Sequence, residues 1–248
     1  MMFDDEFKKC IPNDWAHTLR AVLERAEREG PRAVLAFDLD STLFDNRPRQ
    51  SRILREYGAL QAVPELEDCR PEHFNSGWDL LAALRNCGLP EDEARRRLPD
   101  VKHFWQERFF TSDYCVEDVA ILGASAFTHA VVRTRALLCY VTGRHEGMRP
   151  GTISALRKCQ MATPGDGVYL LMKPATELND DAFKRQAHSR LRELGLVIAA
   201  FDNEPTHAND YRACFPEAQV IHLATDHSGR PVALSPGVVS VPHFEIAL

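Results

Sequence analysis

The sequence has little that would place it in a membrane. Its longest unbroken apolar runs, ALLCYV at 136–141 and LVIAAF at 196–201, fall far short of the roughly 20 residues a spanning helix needs. The first ten residues, MMFDDEFKKC, are acidic and lack the basic-then-apolar plan of a secretory leader. No two of the seven cysteines form a CxxC unit, and none of the ten histidines lies in an HExxH string. Reduced thiols in a cytoplasmic protein are therefore expected, and structural zinc is not. Excess positive charge is missing too, since the formal net charge is −6. Such a chain offers no general attraction to nucleic-acid backbones or anionic membranes, so any anionic ligand has to be captured by a local site. Internal repeats and low-complexity tracts are also absent.

What is present is the material of a sizeable core. The 248 residues are 44% hydrophobic and 27% charged, which suits one domain carrying an insertion. Residues 13–29 open on an Asn-Asp cap and place Trp15, Leu19, Val22, Leu23 and Ala26 on one helical stripe, which Gly30 and Pro31 stop. Next comes AVLAF at 33–37, and similar runs recur at 136–141, 168–172, 196–201 and 220–223. Continuous rather than alternating hydrophobicity predicts parallel strands covered on both faces. Helical patterns at 150–160, 180–194 and 206–215 separate the later runs. This alternation predicts an α/β fold with a doubly wound (Rossmann-like) parallel sheet core. Residues 47–116 break the rhythm with helical patterns only, which predicts an inserted small α-helical cap domain. The expected division is residues 1–46 with 117–248 as the core, and 47–116 as the cap.

Polar groups collect just after the apolar runs. The first run leads into Asp38-Leu39-Asp40-Ser41-Thr42, the second into Thr142-Gly143-Arg144, and the fourth into Asp202-Asn203-Glu204. In an open parallel sheet ligands bind beyond the carboxyl ends of the strands, so these three segments are predicted to share one crevice. Lys173 ends the third run, and Lys184 opens the helix before the fourth. Asp38 and Asp40, two apart on extended backbone, project to one side while Leu39 points into the core. Two adjacent carboxylates repel unless a cation or a proton lies between them. Magnesium suits such oxygen donors together with a substrate phosphate, and Asp202 could add a third carboxylate. Thr142 would donate to a phosphoryl oxygen, and an ammonium would hold nucleophile and phosphate together.

FDLDSTLFD resembles the first motif, DxDx[TV], of the haloacid dehalogenase (HAD) superfamily. The further motifs follow in order: Thr142 in YVTGR, a lysine before the fourth strand, and the acidic turn FDNEP. The resemblance covers about 200 residues, and the superfamily commonly inserts a helical cap after its first motif. It implies Asp38 as the nucleophile forming an aspartyl-phosphate. Asp40 would be the general acid toward the leaving oxygen and then the base for water. Magnesium would be held by Asp38, the Asp40 carbonyl and Asp202, with Asn203 standing where a second aspartate is usual. Thr142 and Lys184 complete the catalytic set, Lys184 being favoured over Lys173. Thr42, Gly143, Arg144 and Lys173 are candidates for phosphate or substrate contact. An aspartate at position 40 favours phosphoryl chemistry over dehalogenation.

Other features are expected to be plainer. Arg47, Arg49, Arg52 and Arg55 are read as a solvated face at the hinge, and Arg95, Arg96 and Arg97 as an exposed helix. Phe74, Trp78, Phe104, Trp105, Phe109 and Phe110 are read as the cap core. The expected activity is magnesium-dependent hydrolysis of a small phosphomonoester, the partner being a small phosphorylated metabolite rather than nucleic acid or membrane. The alternatives are a phosphotransferase using the same intermediate, and a weakly active HAD-fold binding or regulatory protein.

Overall fold

The computed structural model describes residues 6–247. A single turn, α1 (Glu6–Lys9), precedes α2 (Trp15–Glu29) and the first strand, β1 (Ala33–Phe37). The chain then leaves through β2 (Phe44–Asp45) into α3 (Arg47–Gln61), α4 (Pro64–Glu67), α5 (Leu80–Asn86), α6 (Glu91–Phe109) and α7 (Ser112–Cys115), and returns through β3 (Val119–Ala120). Strand and helix alternate from there: α8 (Ala124–Arg133), β4 (Leu137–His145), α9 (Arg149–Lys158), β5 (Val168–Lys173), α10 (Asp180–Leu194), β6 (Leu196–Asp202), α11 (Pro205–Cys214), β7 (Gln219–Leu223) and β8 (Val239–Val241). Six strands form one sheet in the order β5-β4-β1-β6-β7-β8, with every pairing parallel.

The unbroken apolar runs have a direct structural cause. Along β1, Ala33, Leu35 and Phe37 enter one apolar cluster while Val34 and Ala36 enter another. The first cluster is closed by Leu19, Val22 and Ala26 of α2, Phe127 and Val131 of α8, and Ala155 and Leu156 of α9. The second is closed by Phe183, Ala187 and Leu191 of α10 and by Ala208 and Tyr211 of α11. Each face of the sheet is thus covered by helices, and neither can be polar. A bulge in β6 shifts the register from Val34↔Val197 to Leu35↔Ala199, so Ile198 and Ala199 both fall in the first cluster. Gly123, at φ +78, begins α8 where a side chain could not fit: a Cβ there would lie 2.3 Å from the Glu245 nitrogen.

Residues 47–115 are helical, and a third apolar cluster, running from Leu54 to Val101, lies wholly among them. The strands β2 and β3 pair antiparallel, Phe44 with Ala120 and Asp45 with Val119, and tie the entry of this segment to its exit. They were not expected, because two residues are too few to display a period, and the same holds for the three residues of β8. The patterns at PEDEARRRL and VKHFWQERFF join into the single helix α6 through Pro99. Pro99 is exposed, so water can serve the carbonyl it leaves without a donor. Among the described residues no helix is long and apolar enough to cross a membrane.

Packing of α10 on α11 creates a pH-sensitive position. His188 is buried against Tyr211 and Phe215, at ring distances of 4.7 and 5.4 Å, and its Nε2 has no protein partner. Burial pushes its imidazole down to about 4. Between that value and the ordinary 6.5, the unfolded chain binds a proton that the folded chain does not, so stability should fall as pH drops through this window. The loss should be of order 1–3 kcal/mol. Urea midpoints measured from pH 7 to 4.5 should show it in the parent and a flatter profile in His188→Leu; parallel profiles would remove His188 as the source.

Candidate active site

The chain leaves β1 toward β4 and β5, then returns to the other side of β1 at β6. The β1/β6 boundary is therefore the switch point of the sheet, outside whose carboxyl end a crevice opens. Phe37 and Phe201 are in register there, with rings stacked 4.3 Å apart at 5°. The next residue on each strand is an aspartate. The Asp38 N–H donates to the Phe201 carbonyl at 2.9 Å, which keeps the two strands paired up to the point where both carboxylates emerge.

Both carboxylates are buried, and Lys184 of α10 lies between them. Its Nζ donates to Asp38 Oδ1 at 2.8 Å and to Asp202 Oδ2 at 2.7 Å. Asp202 Oδ1 also accepts the Glu204 N–H at 2.9 Å and lies 3.5 Å from His207 Nδ1, while His207 Nε2 is 2.7 Å from Asp181. Thr42 Oγ1 stands 3.2 Å from Asp38 Oδ2 and 3.0 Å from Asn203 Oδ1, and it accepts the Asn203 N–H at 3.1 Å. Burial raises the Asp38 carboxyl to about 6; Lys184 opposes this, and the charge on Asp202 adds to it. Burial also works against ionised Asp202, but Lys184 and His207 overcome it and hold that carboxyl below its usual range. Lys184 is held above its usual value by the two aspartates, against the effect of burial.

Asp40 belongs to a second, adjoining network. Arg144 grips it bidentately, Nε to Oδ2 at 2.9 Å and Nη2 to Oδ1 at 2.7 Å, and Arg49 Nη2 adds a bond to Oδ1 at 2.8 Å. Both guanidiniums also bind the buried Asp118: Arg49 through Nε and Nη2 at 2.8 Å each, and Arg144 through Nη2 at 2.6 Å. Two cations and two anions close a neutral ring linking the first strand end, the start of α3 and the return from the helical segment. Burial would raise Asp40, but Arg144 and Arg49 outweigh it and hold the carboxyl well below the ordinary range.

Several sequence expectations need correction at this level. Arg49 is not on a solvated face; its side chain is fully buried, whereas Arg47 and Arg52 remain partly exposed. Arg144 lines the cavity, yet its guanidinium is committed to Asp40 and Asp118 rather than open to phosphate. Thr42 is fully buried behind Asp38 and stitches the first motif to the Asp202 turn, away from the cavity surface. Asn203 reaches the cavity, but its amide oxygen faces Thr42 and its nitrogen donates to the Asp226 carbonyl at 2.6 Å, so both ends are occupied. The two guanidiniums beside Asp40 favour its ionised form, whereas the general-acid role needs the protonated one. Of the two lysines, Lys184 reaches Asp38, while Lys173 pairs with Asp180 at 2.6 Å on the cavity wall. Thr142 and Gly143 line the cavity as well, and a Cβ on Gly143 would meet Asp180 Oδ2 at 2.5 Å.

The cavity above these groups has a volume of about 360 Å³. One wall is aromatic, lined by Trp78, Trp105, Phe109 and Phe110. Phe74, Phe104 and Trp105 pack in the cap's apolar cluster as expected, Trp105 doing both, while Trp78, Phe109 and Phe110 lie outside it. Trp105 Nε1 and Gln50 Oε1 are buried without protein partners among the described residues, and both residues line the cavity. The helical segment also touches the core directly, through the Gly77 N–H donating to Asp226 Oδ2 at 2.8 Å. The sequence assigns no site role to Arg49, Asp118, His207, Asp226 or Gln50, Arg49 reading as part of a solvated face. Arg49 and Asp118 each flank the insertion, but an isolated charge at a hinge carries no sign of its partner.

The donor set suits a small divalent cation. Two buried carboxylates face one ammonium, and the Asp38 carboxyl is raised chiefly by burial, with the Asp202 charge adding to it, so a cation at this place would relieve both effects. All the donors are oxygens, the hard type that magnesium prefers.

Fold and site together define a Rossmann-like α/β protein with an acidic, lysine-bridged cluster at the sheet's switch point and a helical insertion after the first strand. This is a doubly wound α/β fold, and its likeness to solved structures is one of fold. No protein-family model matches the chain, and no curated protein matches its sequence. Solved structures do match. CbbY of Rhodobacter sphaeroides, in complex with phosphate, is similar at 14% identity and a TM-score of 0.50, over 86% of this chain and 94% of that one. Protein tyrosine kinase A of Mycobacterium tuberculosis is similar at 16% identity and a TM-score of 0.51, over 86% and 94%. A class C acid phosphatase of Bacillus anthracis matches at 15% identity and a TM-score of 0.46; the match covers 77% of this chain but only 61% of that one. Haloacid dehalogenase-like hydrolases are among the further matches.

Proposed function

We propose that the chain is a magnesium-dependent phosphatase that hydrolyses a small phosphomonoester through an aspartyl-phosphate on Asp38. The observation that carries this reading is the pair of buried carboxylates at the β1/β6 switch point with Lys184 bonded to both. Asp38 attacks phosphorus, the phosphorus–oxygen bond to the leaving group breaks, and water then cleaves the acyl-phosphate. Lys184 keeps Asp38 ionised despite its burial and holds it against Asp202. Magnesium bound by Asp38, Asp202 and the Asp40 carbonyl would neutralise charge on the phosphoryl oxygens. Thr142, Gly143 and Lys173 line the cavity and suit contact with those oxygens.

Asp40 suits the second step better than the first as it stands. A carboxylate held by two guanidiniums can accept a proton from water but has none to donate, so acid catalysis requires it to exchange those contacts for a proton. Residues 47–116 serve as the cap that excludes water and selects substrate. The aromatic wall of Trp78, Trp105, Phe109 and Phe110 supports a leaving group with a flat ring. That CbbY has been crystallised with phosphate and with xylulose-(1,5)bisphosphate supports a small phosphorylated ligand.

The test is phosphate release across a panel of phosphomonoesters. Turnover should require magnesium, vanish on chelation and return when the ion is restored, with aryl and nucleoside monophosphates ahead of aliphatic ones. Silence across the whole panel in magnesium would end the reading and leave a binding protein. Product partitioning to added alcohols would instead mark a phosphotransferase.

A further inference from the structure

The helical segment contains a cluster that takes no part in phosphoryl chemistry. Cys69 follows α4, His73 ends the short turn Pro71–His73, and Cys87 directly follows α5. One ligand atom from each lies within 4.8 Å of the other two, and Cys87 Sγ is 3.3 Å from His73 Nδ1. Cys69 is buried, while His73 and Cys87 are partly open to solvent. We propose that Cys69, His73 and Cys87 form a binding site for zinc or a similar thiophilic divalent ion, with solvent supplying the fourth ligand.

The spacing fits the chemistry. Zinc–sulfur bonds of about 2.3 Å and zinc–nitrogen bonds of about 2.0–2.1 Å at tetrahedral angles place sulfur and nitrogen ~3.6 Å apart and the two sulfurs ~3.8 Å apart. The Cys87–His73 separation of 3.3 Å is within a few tenths of an ångström of the sulfur–nitrogen value, and every pair in the cluster lies within 4.8 Å, so closing on an ion needs shifts of no more than about 1 Å. Its backbone is already tied: Asn86 Nδ2 donates to the His73 carbonyl at 2.8 Å, and Arg55 Nη1 to the Cys69 carbonyl at 2.8 Å. Binding would displace two long contacts on His73 Nδ1, from the Arg70 N–H at 3.2 Å and from Cys87, and the thiol–thiol contact between Cys69 and Cys87. The two thiols also face each other, the Cys69 S–H bonding to Cys87, which lowers the Cys87 thiol and raises that of Cys69. On binding, both thiols release their protons to solvent and form two thiolate–metal bonds. Two thiolates balance a divalent charge.

The sequence offered no such signal, because one histidine four residues after one cysteine, with the second cysteine fourteen residues further on, is not a paired zinc-ligand string. An ion here would staple the turn after α4 to the end of α5. That stretch leads directly to Gly77 and Trp78, which touch Asp226 and the cavity. The site does not depend on the phosphatase reading, and its donors differ in kind from the all-oxygen set at Asp38.

The experiment uses the full chain, reduced and stripped by chelator, titrated with cobalt(II) without oxygen. Thiolate-to-cobalt charge-transfer absorption should appear with tetrahedral visible bands, be abolished by added zinc and survive excess magnesium. Cys87→Ser, at the more open end, should lose the charge-transfer absorption substantially, and His73→Gln should weaken uptake while far-UV circular dichroism stays that of the parent. Absence of the thiolate band in the parent would overturn the proposal, as would an unchanged band in folded Cys87→Ser. A Cys69–Cys87 disulfide that takes up no cobalt after reduction would overturn it as well.

Discussion

Asp38→Asn is expected to abolish phosphate release in saturating magnesium, by about 10³-fold or more, while the protein stays folded. The carboxamide matches the carboxylate in shape. Its oxygen still accepts from Lys184, which lies 2.8 Å from Asp38 Oδ1, and its NH2 group, in place of the Oδ2 that lies 3.2 Å from the Thr42 hydroxyl, can donate to that hydroxyl. It is, however, too poor a nucleophile to form the acyl-phosphate. Stability should not suffer in magnesium-free buffer, since the change removes one of two like charges that share a single ammonium. The parent and the variant are compared by phosphate release and by thermal unfolding in the same buffer. Turnover near that of the parent, in folded Asp38→Asn protein, would remove Asp38 as the nucleophile and the mechanism with it.

The largest loss of stability is expected at Asp118, which does not belong to the proposed chemistry. Its carboxylate takes three hydrogen bonds from Arg49 and Arg144 and is fully buried. Asp118→Ala would leave two buried guanidiniums facing each other with only Asp40 between them. Removing one partner of a buried ion pair costs about 3–5 kcal/mol, because the remaining charge stays out of water without compensation. For a chain of this size that corresponds to a melting temperature lower by on the order of 10 °C. The double change Arg49→Met with Asp118→Leu should recover part of the loss, since it removes a charge of each sign and leaves the Arg144–Asp40 pair intact. Thermal and urea unfolding of the three proteins decide the matter. A single-variant loss below about 1 kcal/mol, the range of a surface pair, would show that the ring contributes little.

The strands that carry the site were legible in the chain because their physics is local. A run such as AVLAF can be buried on both faces only inside a helix-covered parallel sheet, and the polar residues that follow it must then emerge at the sheet's edge. From this came the crevice that Asp38 and Thr142 share, and the place of Lys184 ahead of the fourth run; Asp202 meets Lys184 but is itself fully buried and does not line the cavity. The ribbon formed by β2 and β3 was not legible, since two-residue strands have no period to read.

Side-chain partnership was beyond reach for a different reason. Arg49 looks like its neighbours Arg47 and Arg52 in sequence, yet it alone of the three is fully buried, because the backbone directs it toward Asp118, 69 residues away. Trp105 and Phe109 carry the pattern of a cap core but face a cavity, and Cys69 and Cys87 lack a metal-ligand spacing but meet at His73. The sequence by itself determined the sheet, the order of its elements and the strand ends where acidic groups collect, because hydrophobic periodicity is a property of consecutive residues. The tertiary structure alone decided which charges neutralise each other, which aromatics line the cavity and which thiols converge. Those contacts join positions far apart in the chain, and no local pattern records how the helices that bear them pack.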